Sequence, residues 1–228
     1  MVISLERTIH YPDSDGQPMA DNTEQFQWIV LIKENLECLF ADDPTVFVAG
    51  DLLWYPVEGQ PTVRVAPDVF VAFGRPKGKR GSYRQWQEEN IAPQVVFEIL
   101  SPGNTQKEMI RKLKFYEHHG VEEYYIYDPD RQELTGLQRQ DDELQVIDGI
   151  EDWTSPLLGI RFVMTPDEPL KIYYPDGRSF LTTIELSRYA QQEQQRADLE
   201  QQRANMEQQR ADRLAAKLQE LGINPDQI

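Results

Sequence analysis

The 228-residue chain has a single cysteine, Cys38, which excludes an intramolecular disulfide and a multi-cysteine zinc site. No apolar run approaches the roughly 18 residues that a membrane span needs. The opening MVISLERTIHYPDSDG lacks a basic stretch followed by an apolar one, so no signal peptide is read there and a cytoplasmic location is expected. No phosphate-binding glycine loop of the P-loop or dinucleotide type occurs. His10, His118 and His119 lack metal-ligand spacing, and the pair is expected to favour the C-terminal dipole of a helix. Ser101 is not set in GxSxG, and Cys38 sits among apolar residues, where a buried inert thiol is common. Positive charge is also scarce. There are 23 Lys and Arg against 39 Asp and Glu, a net charge of −16. Duplex-binding surfaces usually carry a basic footprint, so this acidity weighs against a nucleic-acid coat.

What is present suffices for a core: 39% of residues are hydrophobic, and the length suits one domain with an appendage. Residues 1–22 are polar and rich in turn formers, and read as an N-terminal arm. Residues 23–186 carry the domain. Asn22 or Thr23 can cap a helix to about Phe40, because Phe26, Ile29, Val30, Ile32, Leu36 and Leu39 recur mainly at helical spacing. VFVAGDLLWYPV, VRVAPDVFVAFG, PQVVFEIL and EEYYIYDP read as strands. Between the last two, Thr105 and Glu108 fit a capping box that opens a helix near Gln106. ELTGLQRQDDELQVID and LLGIRFVMTP suggest further strands, and DEPLKIYYPDGRSFLTTIEL a hairpin at Asp176-Gly177. The order predicts an α/β fold with a central mixed β-sheet flanked by helices. Residues 187–228 form a Gln-rich helical tail in which EQQRADL, EQQRANM and EQQRADR begin at Glu193, Glu200 and Glu207. Its apolar phases lie two positions apart, so a solvated helix and a weak coiled coil both remain open. Gly222 and Pro225 are expected to stop it.

The tail has six basic and seven acidic residues, so residues 1–186 carry −15. Two basic clusters stand out there, Arg75, Lys77, Lys79, Arg80 and Arg84, and then Lys107, Arg111, Lys112 and Lys114. Two carboxylates, Asp68 and Glu98, each interrupt an apolar strand. A buried, unpaired carboxylate is costly, so each needs a partner, a metal or an exposed strand end. Backbone donors or an arginine explain one such residue. Two of them at strand ends shift the reading toward Mg²⁺, which takes one or two carboxylates plus waters. On the following helix Met109, Leu113 and Tyr116 define the buried face, and Lys112 lies about 60° from Met109. Its ammonium either snorkels along the helix edge or is directed at the two acids.

PDVFVAF, VVFEILSP, the Lys112-Leu113-x-x-Tyr116 helix and GVEEYYIYDP together resemble the Uma-type restriction endonuclease family, a former domain of unknown function within the PD-(D/E)XK nuclease superfamily. The resemblance runs from roughly Phe26 to Val163. It implies a restriction-endonuclease-like core and a metal-dependent endonuclease that hydrolyses phosphodiester bonds of nucleic acid, DNA above all. On that pattern Asp68 and Glu98 hold Mg²⁺ or Mn²⁺, and the backbone carbonyl of Ile99 is a third oxygen. The superfamily lysine is expected two positions after the second acid, where this chain has Leu100. Lys112 takes its place from the next helix and stabilises developing charge. Glu24 is the nearest match to an acid on the first helix, and Asp51 is another outer ligand. Arg75, Lys77, Lys79, Arg80, Lys107 and Arg111 are the expected phosphate contacts. Tyr83 and Trp86 either stack bases or pack locally. A homodimer assisted by the C-terminal helix is the expected assembly. The alternative is an interaction protein that keeps the nuclease fold with weak or no catalysis and oligomerises through that helix.

Overall fold

The described residues of this computed structural model are 9–14, 16, 20–166 and 168–220, without the side chains of 219 and 220. The expected helix stop at Gly222 and Pro225 lies outside them. The chain divides into two compact units, at Phe180 and Leu181.

The first unit opens with α1 (Thr23–Leu39), and Asn22 Oδ1 accepts the Gln25 N–H at 2.8 Å as its N-cap. The strands are β1 (Val46–Gly50), β2 (Trp54–Tyr55), β3 (Val69–Phe73), β4 (Tyr83–Arg84) and β5 (Val95–Ile99). Next comes α2 (Gln106–His118), where Thr105 Oγ1 accepts the Glu108 N–H at 3.2 Å. Then follow β6 (Glu123–Asp128), β7 (Glu133–Gln140), β8 (Glu143–Val146), β9 (Asp152–Thr154), β10 (Arg161–Val163) and β11 (Lys171–Tyr173). The central sheet has the order β1-β3-β5-β6-β7-β8, with only β5 and β6 parallel. This is the expected mixed α/β sheet. The helix α2 supplies the crossover that a parallel pair needs.

Side chains alternate between the two faces of each strand. Val69, Val71, Phe97, Ile99, Tyr125 and Tyr127 face α1 and the small β9–β11 sheet. Phe70, Ala72, Val96 and Tyr124 face α2. Both faces are covered, which explains why the central strands read as nearly continuous apolar runs. Cys38 is exposed, contrary to the expected burial, because it lies outside the Ile29, Ile32 and Leu36 stripe. The described part of the N-terminal arm is anchored. Tyr11 packs edge-on to Tyr55 at 5.2 Å, and the Tyr55 hydroxyl donates to the Pro12 carbonyl at 2.6 Å.

The expected hairpin at Asp176-Gly177 is shorter than the sequence implied. Gly177 has φ +85° in the turn, but the returning segment makes only an isolated bridge between Tyr173 and Ser179. The second unit is built on α3 (Thr183–Glu220), which begins inside the stretch read as hairpin. Thr182 and Glu185 form the reason: the Thr182 N–H donates to Glu185 Oε2 at 2.8 Å, and the Glu185 N–H to Thr182 Oγ1 at 3.2 Å. Along α3 nearly every described residue is exposed, Leu199 and Met206 included. No helix of the described residues is long and apolar enough to cross a membrane.

Candidate active site

Strand register assembles the site. β3 and β5 are antiparallel with Val69 opposite Phe97, so one step further Asp68 stands opposite Glu98. On the other side Gly50 is opposite Val69, which sets Asp51 beside Asp68, and the Asp51 N–H donates to the Asp68 carbonyl at 3.1 Å. Asp51 holds a left-handed backbone, φ +46°, as the chain leaves β1. By strand alternation Asp68 and Glu98 project on the α2 side of the sheet. From α2, Lys112 and Tyr116 are four apart and share one face. The Lys112 ammonium donates to Glu98 Oε2 at 2.7 Å, and the Tyr116 hydroxyl donates to Glu98 Oε1. Asp68 Oδ2 accepts the Ile99 N–H at 2.6 Å. Glu98 is only 2% exposed.

Directly opposed like charges are unfavourable across a sheet. Burial, and then the Glu98 charge, hold the Asp68 carboxyl well above the usual carboxylate range, against the pull of Lys112 and the Ile99 N–H. Burial alone would lower the Lys112 ammonium, but Glu98 and Asp68 outweigh it and raise the pKa. The Tyr116 hydroxyl is pushed well up by burial and Glu98, so it stays a donor. A cleft of about 550 Å³ opens onto this cluster, with Gln25, Asp51, Arg64, Asp68, Arg111 and Lys112 among its lining residues.

The donor set fits a small hard cation. Two carboxylates face each other with too little positive charge between them, and carboxylate and carbonyl oxygens are what Mg²⁺ and Mn²⁺ select. The fit uses few protein ligands. No group of three or more His, Cys, Asp or Glu side chains able to hold a metal occurs among the described residues. An ion held by these few ligands would leave several coordination positions to water or substrate.

Other expected positions fall differently. Glu24 is exposed and does not enter the cleft. One residue on, a turn of about 100° along α1 brings in Gln25 instead. Its Nε2 donates to the Ile99 carbonyl at 2.8 Å, so the oxygen assigned to the metal already accepts one hydrogen bond. Gln25 was missed because a neutral amide carries no charge signal. The cations after β3 lie away from the cleft. Asp68 precedes β3 and Gly74 follows it, so Arg75, Lys77, Lys79 and Arg80 lie past the opposite strand end. Arg75 is buried and pairs with Glu89 at 2.9 Å. Arg80 grips Glu88 at 2.6 Å and lies 3.9 Å over the Phe47 ring. Lys77 donates to the carbonyls of Phe40 and Ala41 at the end of α1. Lys79 is exposed on the same distant loop. Tyr83 is fully buried and Trp86 packs on Tyr11 at 5.0 Å, so both pack locally. Lys107 and Arg111 are exposed on α2, and Arg111 lines the cleft. Ser101 Oγ donates to Asp21 at 2.6 Å with no histidine beside it in the hydrogen bonding. Burial, then His118, lowers His119 to about 4, so it adds no charge to the helix end at neutral pH.

The family model described as Uma2, "Putative restriction endonuclease", matches residues 7–165. Its match begins upstream of Phe26 and takes in part of the N-terminal arm. No curated protein matches the chain. Among solved structures, a crystal structure of a putative nuclease belonging to DUF820 from Anabaena variabilis ATCC 29413 is similar at 18% identity, with a TM-score of 0.45, over 61% of this chain and 74% of that one.

Proposed function

This chain belongs to the Uma2 restriction endonuclease family, and from that premise we propose that it hydrolyses phosphodiester bonds of nucleic acid with a divalent metal at Asp68 and Glu98. The observation that carries the reading is the Asp68–Glu98 opposition across β3 and β5 with the Lys112 ammonium at 2.7 Å from Glu98. Asp68 and Glu98 would hold Mg²⁺ or Mn²⁺, with the Ile99 carbonyl beside them. When bound, such an ion polarises the phosphate and lowers the pKa of a coordinated water. Lys112 keeps its proton and places positive charge where the phosphoryl oxygens gain negative charge. Tyr116 fixes the Glu98 carboxylate from beneath, so that its orientation does not depend on Lys112 alone. The cleft would admit DNA in particular, and the protein would act as a homodimer aided by α3.

The test uses the purified full chain with DNA and RNA substrates, Mg²⁺ or Mn²⁺, and chelator. Wild-type cleavage that stops with chelator and falls at least about 100-fold in Asp68→Asn and Lys112→Ala supports the assignment. Cleavage persisting in both variants overturns it. A second reading, a nuclease-fold interaction module, is favoured by the fact that both Glu98 oxygens already have protein donors. Absence of cleavage of every substrate, with unchanged thermal stability on adding Mn²⁺, would select that reading.

A further inference from the structure

The described arginines of the first unit divide into two groups. Arg75, Arg80, Arg84, Arg131, Arg139, Arg161 and Arg178 each have a carboxylate within 4.0 Å. Arg64 and Arg111 have none among the described residues, and both line the cleft beside Asp68 and Lys112. In a unit this acidic, two arginines outside any ion pair, in a cleft also lined by Asp21, Asp51, Asp68 and Glu108, are a departure from the rest of its surface. Their walls are different elements. Arg64 lies on the segment leading into β3, where Trp54 and Val65 exchange backbone hydrogen bonds at 2.8 and 3.2 Å. Its guanidinium makes two long hydrogen bonds, 3.3 Å to the Tyr55 hydroxyl and 3.4 Å to the Pro61 carbonyl, and lies 5.9 Å from the centre of the Tyr55 ring. Arg111 stands opposite on α2. The cleft adjoins a smaller pocket of about 190 Å³ that shares Arg64, Arg111 and Lys112 and is also lined by Phe115.

Arg111 does not stand alone on its helix. Lys107, Arg111 and Lys114 recur at i, i+4 and i+7, one face of α2, spanning about 10 Å. All three are exposed and none pairs with a carboxylate among the described residues. These cations thus run along α2 and reach across the cleft to Arg64. The remaining cations of the unit cannot make a second such run. The loop after β3 spends Arg75, Lys77 and Arg80 on its own architecture, and residues 1–186 carry −15. A duplex would bring its other strand over that acidic surface, whereas single-strand binders need only a basic groove with an aromatic at hand.

We propose that the cleft takes a single strand of nucleic acid, with Arg64 and Arg111 holding phosphates that flank the one at Lys112, and the strand continuing past Phe115. Arg64 is then a binding residue outside both basic clusters of the sequence. The proposal rests on the nuclease reading of the cleft for its location, but binding is measured without chemistry.

The experiment is fluorescence anisotropy of the full chain in chelator, with labelled oligo-dT, oligo-U and a DNA duplex of equal length, each over a salt series. Both single strands are expected to bind at least about tenfold more tightly than the duplex. The DNA and RNA arms decide which source is preferred. Arg64→Gln and Arg111→Gln should each weaken single-strand binding about tenfold, as loss of a charged hydrogen bond does. Each should also flatten the salt slope by about 0.7. Lys79→Gln, on the distant loop, should change neither. Duplex binding equal to single-strand binding, or an Arg64→Gln variant indistinguishable from wild type while single strands bind, overturns the proposal. So does failure of every oligonucleotide to bind. If binding follows the expectation but no substrate is cleaved with Mn²⁺, the nuclease reading fails and the single-strand site stands.

Discussion

Two buried glutamates on neighbouring strands have opposite environments. Glu98 on β5 is 2% exposed and Glu123 on β6 is 1% exposed. Glu123 points to the α1 face, where Oε2 accepts from the Tyr125 hydroxyl at 2.9 Å and from Ser155, and Oε1 accepts the Leu157 N–H at 2.9 Å. Every donor is neutral, and together they tie β6 to the segment after β9. Glu98 points to the α2 face, toward an ammonium, a tyrosine and an opposed Asp68. Burial of a carboxylate is therefore no sign of chemistry by itself. A fully satisfied carboxylate with neutral donors is a clamp. One that shares a cation with a second acid at the edge of a cleft is poised to exchange partners. The arginines repeat the contrast, since those after β3 are consumed by Glu88 and Glu89 while Arg64 and Arg111 are left for a ligand.

The largest effects should separate the two glutamates. Glu98→Gln keeps an acceptor for Tyr116 but loses the charge, so cleavage should fall about 10²–10³-fold in a steady-state assay, with a melting temperature near wild type. Equal cleavage by wild type and variant would erase the distinction. Glu123→Ala should do the reverse. It strands the Ser155, Tyr125 and Leu157 donors in the core, so unfolding free energy should fall by about 2–4 kcal/mol in urea titration, with cleavage per folded molecule unchanged. A well-folded Glu123→Ala protein without activity would place Glu123 in the chemistry. A smaller effect belongs to Arg80→Gln, which loses its grip on Glu88 and its stacking on Phe47. Stability should drop by about 1–2 kcal/mol, with oligonucleotide binding unaltered. Weakened binding would return the loop after β3 to the nucleic-acid surface.

Much of the site's framework was legible in the sequence, because strand alternation and helix periodicity act locally. The runs around Asp68 and Glu98, the Thr105 cap and the placement of Lys112 near the buried face all follow from spacing. What was not legible depends on side-chain pairing that strand and helix periodicity do not encode. Nothing local says that Glu88 and Glu89 neutralise Arg80 and Arg75, so charge density alone suggested a binding loop there. Arg64 is isolated in sequence and joins Arg111 only through the fold. Gln25 and Glu24 differ by one helix step, and the charged residue drew attention from the one that reaches Ile99. The start of α3 was legible in Thr182-x-x-Glu185 but was masked by the turn signal at Asp176-Gly177.

A half-buried group carries the contrast between charged and neutral partners to a titratable ring that has no counter-charge. His119 follows α2, packs against Phe115 at 4.5 Å and Trp54 at 6.0 Å, and has no carboxylate partner among the described residues. Burial, then His118, depresses it to about 4, from an ordinary value near 6.5. Above about pH 6.5 the ring is neutral whether folded or unfolded, and its titration adds nothing. As pH falls from 6.5 toward 4 the unfolded chain takes up a proton that the folded chain refuses, so stability is lost across that window. Below about 4 both forms are protonated and the loss is complete. His119→Phe removes this contribution and keeps the aromatic packing, while acidic groups shared by both proteins cancel in the difference. Urea unfolding between pH 7 and pH 4 should show wild type losing more stability than the variant. Parallel curves would mean that the ring is solvated enough to charge freely, and that burial without a partner is not what separates this end of α2 from the Lys112 end.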